Sequence, residues 1–183
     1  MVGSVLLAGC DSNYTDYYYG KRSFRTFFCP WEHYMVAEDK GDSLLLWNLD
    51  DECNAGYWSQ ENVLIPKKEG KYGDLEVKKI TNIKLTLSYD RGYEKVNFTL
   101  TRRGKKEDAI KVINIIQMSI IDSAMEQYIQ SNGKKVDKNM LYLTENYVAD
   151  DKAGLLDPNE FRKYYREKKE KVAEKIIKEL ETK

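Results

Sequence analysis

Ile83-Lys84-Leu85-Thr86-Leu87-Ser88-Tyr89-Asp90-Arg91-Gly92-Tyr93-Glu94-Lys95-Val96-Asn97-Phe98-Thr99-Leu100-Thr101 is the most regular stretch of this 183-residue chain. Ile83, Leu85, Leu87 and Tyr89 alternate with Lys84, Thr86 and Ser88. Beyond Asp90-Arg91-Gly92, Val96, Phe98 and Leu100 alternate with Asn97, Thr99 and Thr101. Successive side chains of a strand point to opposite faces, so a period of two around a glycine turn predicts two antiparallel strands, one face buried and one wet. Upstream, Phe24, Thr26 and Phe28 alternate with Arg25 and Phe27. Leu44-Leu45-Leu46-Trp47 lies between Gly41-Asp42 and Asp50-Asp51, and Val63-Leu64-Ile65 stops at Pro66. These short runs have the length of buried strands.

After Gly104 the period changes. From Ala109 to Ile129, apolar residues at 109, 112, 113, 116, 120, 124 and 128 follow helical spacing, with Lys111, Asn114, Asp122 and Glu126 as the polar stripe. The β-branched content of Ile110 to Ile116 leaves one more strand as the rival reading. The apolar stretch is interrupted and too short to cross a membrane. A short helix is expected over Lys138 to Tyr147. The last helix begins at Asp157 as N-cap, with Pro158 at N1 and Glu160 at N3. Phe161, Tyr165, Val172, Ile176 and Leu180 form its apolar stripe. Together these elements predict an α+β fold: an antiparallel sheet from the first half packed against two or three helices from the second.

Thirty basic and thirty acidic residues give a formal net charge of zero, which provides no excess cation to condense on phosphates and argues against a nucleic-acid partner. All three Cys and the one His would have to converge to make a single four-ligand zinc site, which nearly excludes one, and no cofactor motif is present. His33, in Cys29-Pro30-Trp31-Glu32-His33-Tyr34, is the sole candidate for imidazole chemistry; a packed or surface histidine is the competing reading. Asp50, Asp51 and Glu52 could pair as acids or hold a cation, or simply form a solvated turn. Asp151 to Phe161 partly resembles a calcium loop, with Asp151, Asp157 and Glu160 as weak metal candidates. Ala149 and Ala153 fall where that loop needs oxygen ligands, and helix capping already explains Asp157 and Glu160.

Val5, Leu6 and Leu7 form a short apolar run, followed by Ala8, Gly9 and Cys10 and then by polar Asp11, Ser12 and Asn13. Leu7-Ala8-Gly9-Cys10 resembles the lipobox of bacterial lipoproteins. The resemblance implies a diacylglycerol on the Cys10 thiol and cleavage before it. Residues 1–9 are then a signal-peptide remnant, 10–23 a lipidated tether and 24–183 one domain. Two acyl chains hold a protein stably on a bilayer where one does not. Asp11, next to the lipidated cysteine, leans toward the periplasmic face of the inner membrane. In that compartment Cys29 and Cys53 remain as an even pair and are expected to form a disulfide. A loop of about 25 residues closed this way contributes roughly 3 kcal/mol. The functional expectation is a membrane-anchored, periplasm-facing interaction protein with a protein partner in the cell envelope, of accessory, immunity or exclusion type. Two alternatives stay open: an envelope hydrolase working through carboxylates, and a cytosolic α+β domain in which Val5 to Ala8 is a buried strand and the lipobox is fortuitous.

Overall fold

The computed structural model describes residues 14–25, 30–52, 57–59, 62–90, 92, 95–103, 105–135 and 153–182. Among these described residues nine strands come first: β1 (Tyr17–Arg25), β2 (Pro30–Asp39), β3 (Ser43–Glu52), β4 (Tyr57–Ser59), β5 (Val63–Pro66), β6 (Gly70–Tyr72), β7 (Leu75–Ile80), β8 (Lys84–Asp90) and β9 (Lys95–Thr101). Helix α1 (Lys106–Ser131), a 3-10 turn (Ala153–Leu155) and helix α2 (Pro158–Glu181) follow. All strands join one antiparallel sheet in the order β4-β3-β2-β1-β9-β8-β7-β6, with β5 pairing β3 beside β4. No helix among the described residues is long and apolar enough to cross a membrane.

The expected α+β arrangement, a sheet packed against two or three helices, is not what forms. The sheet instead curls into a nearly closed barrel. Its concave face gathers Tyr18, Met35, Leu44, Ile65, Val77, Leu87, Val96 and Phe98 from both ends of the strand order into a single core. Curling lets the strands bury one another, as the twist of an antiparallel sheet allows, so helices are not needed to cover that face. Helix α1 lies outside, on the convex face of β1 to β3, where Tyr17, Val36, Trp47 and Leu49 meet Ala109, Ile110, Ile113 and Ile116. Its second half leaves the sheet and packs on α2 through Ile121, Met125, Ile129, Phe161, Tyr165 and Ile176. The helices therefore form a pair attached to one side of the barrel.

The predicted hairpin is present. Leu85↔Leu100, Leu87↔Phe98 and Tyr89↔Val96 pair across β8 and β9. The sheet also extends further toward the N-terminus than the sequence suggested. The strand Tyr17–Arg25 begins within the 10–23 segment expected to be tether and runs past its end, with Tyr18 fully buried. Asp50, Asp51 and Glu52 continue β3 opposite His33, Glu32 and Trp31, so the three acids are not a turn. The helix expected over Lys138 to Tyr147 lies outside the described residues.

The seam between β1 and β9, where Tyr19 pairs with Thr101, joins the two halves of the sheet. Gly20 sits in it. A Cβ there would lie 2.7 Å from Leu100 Cδ2 and 2.9 Å from the carbonyl oxygen of Thr99. The oxygen is backbone and cannot rotate away. Gly20→Ala is expected to lower unfolding stability by about 1–3 kcal/mol, as overpacking does, read as a lower midpoint in urea. An unchanged midpoint would show that the seam opens at no cost.

Candidate functional site

On the convex face, Tyr34 of β2 stands opposite Leu49 of β3, and Tyr19 of β1 is its diagonal neighbour through the Lys21↔Tyr34 pair. All three project to the side on which α1 lies. From α1 come Asp108, Lys111, Val112 and Ile115, at the i, i+3, i+4 and i+7 spacing that shares one helix face. The two surfaces enclose a cleft of about 250 Å³. Leu49, Val112 and Ile115 give it apolar walls. Two phenols, a carboxylate and an ammonium give it polar groups.

One of these groups, the Tyr34 hydroxyl, is held in place by Glu32. Glu32 accepts hydrogen bonds from the Tyr34 hydroxyl, from Lys21 at 2.9 Å and from Ser23 at 3.2 Å. The Tyr34 bond, then Lys21, hold the Glu32 carboxyl below the usual range. Burial, then the charges of Asp108 and Glu32, push the Tyr19 hydroxyl above its ordinary value. Tyr19 is thus a protonated donor at neutral pH. A concave surface with apolar walls and a few fixed donors and acceptors is suited to recognition: the walls exclude water and the polar groups set orientation.

The residues singled out from sequence do not converge here. Cys10, Cys29, Cys53 and Asp151 lie outside the described residues. Pro30, which follows Cys29, and Glu52, which precedes Cys53, stand at the same end of neighbouring strands, since Trp31 pairs with Glu52. His33 is fully buried inside the barrel, its Nε2 hydrogen-bonded to Asn48 Oδ1 and its ring edge-on to Phe98 at 4.6 Å. It is a packed histidine. Asp157 caps α2 by accepting from the Asn159 amide at 2.9 Å, and Glu160 is exposed in the first turn. Among the described residues no group of three or more His, Cys, Asp or Glu side chains is placed to hold a metal.

The sequence pattern does not single out Tyr34 or Asp108 as site residues, each ordinary alone, and puts Lys111 only on the polar stripe of α1. The usable signal was that Tyr19 and Tyr34 fall at outward positions of strands whose inward neighbours are Tyr18 and Met35, where a wet face rarely needs large rings. It also placed Asn114 on the polar stripe of α1, yet Asn114 is buried. Its Nδ2 donates to the carbonyls of Gly154 at 2.9 Å and Leu156 at 3.1 Å, and Gln117 donates to that of Pro158 at 2.9 Å. These amides dock the start of α2 onto α1. Compared with protein-family models, with curated proteins and with solved structures, the chain matches none.

Proposed function

We propose that this chain is a lipid-anchored binding protein of the bacterial cell envelope, held to the membrane through Cys10 and presenting the cleft of Tyr19, Tyr34, Asp108 and Lys111 to a protein partner. The observation that carries the reading is the Leu7-Ala8-Gly9-Cys10 tetrapeptide with its abrupt polar switch at Asp11. The short leader into β1 is consistent with it. Seven residues from Cys10 to Tyr17 span at most about 25 Å, so the domain rides close to the bilayer. Arg102 Nε donates to the carbonyl of Thr15 at 2.7 Å. The strand ends around Arg102 then form the membrane-proximal end, and the convex face with its cleft runs sideways from it. Donors and acceptors on that face favour a ligand with complementary polar groups, such as side chains of a partner loop.

The test has two arms. In membranes from the native host, Cys10→Ala is expected to move the protein from the membrane to the soluble fraction. Continued sedimentation with membranes would overturn the anchor. In intact cells, cross-linking from a photoreactive residue at position 111 is expected to give a discrete adduct that Tyr34→Ala abolishes, with position 79, on β7, giving none. The same adduct from both positions would overturn the cleft as the binding surface.

A further inference from the structure

A second cavity, independent of the anchor and of the convex cleft, lies where α1 leaves the sheet. It measures about 90 Å³ and is bounded by Trp47 of β3, by the second half of α1, by Arg162 and Arg166 of α2 and by Asn62 just before β5. Trp47 and Gln117 are buried, whereas Asn62, Arg162 and Arg166 are exposed. The buried pair therefore marks the floor and the exposed residues mark the mouth. Ile120, Ile121 and Met125 form an apolar wall between them.

The floor carries an unmet requirement. Trp47 is only 5% exposed, and its Nε1–H is buried with no hydrogen-bond partner among the described residues. A buried donor left unpaired costs about 1–3 kcal/mol relative to a satisfied one. Indole N–H donates only, so what it lacks is an acceptor. Gln117, the other floor residue, is turned elsewhere: its Nε2 donates to the carbonyl of Pro158 at 2.9 Å and to Asn114 Oδ1 at 3.3 Å. At the mouth, Arg162 makes no ion pair among the described residues, and the contact of Arg166 Nε with Glu170 is loose at 3.8 Å. Two arginines, a tryptophan whose N–H lacks an acceptor and an aliphatic wall therefore border one small space.

We propose that this cavity binds a small carboxylate with a short branched apolar body. One carboxylate oxygen accepts from Trp47 Nε1–H. The other meets Arg162, whose planar fork suits a carboxylate, and the aliphatic part lies on Ile120, Ile121 and Met125. The volume sets the size. It is several times the ~10–15 Å³ that one water requires and below the ~150 Å³ of a cavity that holds benzene. A four-carbon branched acid, with as many non-hydrogen atoms as benzene, is the upper limit, and part of its carboxylate reaches into the arginine-lined mouth. The apolar wall disfavours inorganic phosphate, whose oxygens would lose water against Ile120 and Met125 without replacement.

The probe is isobutyrate, added to the full-length folded chain labelled with ¹⁵N. The indole Nε1–H signal of Trp47, one of three tryptophans, is identified by its loss in Trp47→Phe. Isobutyrate is expected to move that signal saturably. Arg162→Gln, at an exposed position, is expected to weaken the effect roughly tenfold or more, the loss of one charge-assisted hydrogen bond. Isobutyramide, equal in shape but neutral, is expected to bind at least tenfold more weakly. A signal that does not saturate, isobutyramide as effective as isobutyrate, equally tight phosphate, or Arg162→Gln without effect would each overturn the proposal. Should Trp47→Phe fail to fold, assignment by sequential backbone connectivity serves instead and the comparison of acid with amide decides.

Discussion

Asp122→Ala is expected to lower the free energy of unfolding by about 3–5 kcal/mol, the cost of removing one member of a buried ion pair. Lys169 is 1% exposed, inside the interface between α1 and α2, and its Nζ lies 2.9 Å from Asp122 Oδ1. Tyr165 donates its hydroxyl to the same carboxylate at 3.0 Å. Deleting the carboxylate takes the anionic partner from a buried ammonium and an acceptor from Tyr165. The pair is nevertheless not a net source of stability by default. Burial pushes the Asp122 carboxyl above its ordinary value although Lys169 and Tyr165 pull it down. A raised carboxyl contributes stability that is present at low pH and is lost as pH rises through the folded value. Asp122→Leu with Lys169→Met, two apolar chains of similar volume, is accordingly expected to equal or exceed the wild type, by up to about 4 kcal/mol. Urea unfolding followed by far-ultraviolet circular dichroism at neutral pH reads both results. A double variant as unstable as Asp122→Ala would show that the pair stabilises the interface outright.

Lys169 also shows what the sequence hid. In the stripe Phe161, Tyr165, Val172, Ile176, Leu180 the second helical step, four residues past Tyr165, falls on a lysine, and a lysine in an alternating Lys/Glu run reads as solvated. It is buried because Asp122, forty-seven residues earlier, faces it. The expected apolar positions Ile120, Ala124 and Tyr128 are likewise displaced by one, to Ile121, Met125 and Ile129. The reason is physical: α1 serves two partners, first the sheet and then α2, and its buried stripe rotates as it passes from one to the other. A single period cannot express that.

The strands were legible to different degrees for a similar reason. β9 alternates cleanly because one of its faces meets the barrel core and the other meets water: Val96, Phe98 and Leu100 are buried, Lys95, Asn97 and Thr99 exposed. β2 and β3 do not alternate. Met35, Val36 and Ala37 are all buried, as are Leu46, Trp47, Asn48 and Leu49, because the barrel core lies on one side and α1 on the other. Loss of alternation thus marked the helix-covered strands. Curvature left no such mark, since an inward residue is apolar whether the sheet is open or nearly closed. The convex cleft was illegible for a related reason: its polar groups come from β1, β2 and α1, and only the pairing register brings them together.

One carboxylate ties together the barrel end at which β2, β5 and β9 finish. Asp39, at the end of β2, has a side chain 5% exposed and receives Lys67 Nζ at 2.6 Å, Arg102 Nη1 at 3.2 Å and the Gly41 amide at 3.0 Å. Lys67 follows β5 and Arg102 follows β9, so the carboxylate joins three chain segments far apart in sequence. Burial alone would raise its proton affinity, but Lys67, the Gly41 amide and Arg102 together hold the carboxyl below its ordinary value near 3.8. A carboxyl lowered on folding contributes stability that is fully present above the unfolded value and is lost as pH falls through the folded one. The end of the barrel should therefore loosen in acid, below about pH 4. Asp39→Ala is expected to cost about 3 kcal/mol at pH 7, the lower end of the range for a broken buried pair, because Lys67 keeps 27% exposure and can rehydrate. Asp39→Asn retains the acceptor for Gly41 and discards the charge. Its loss should be smaller, and the acid dependence below about pH 4 should be weaker than in the wild type. Urea midpoints of the three proteins between pH 3 and pH 7 separate the charge from the shape of the side chain. If the Asn variant keeps the full acid dependence, other carboxylates set it and the three-way junction is held by packing.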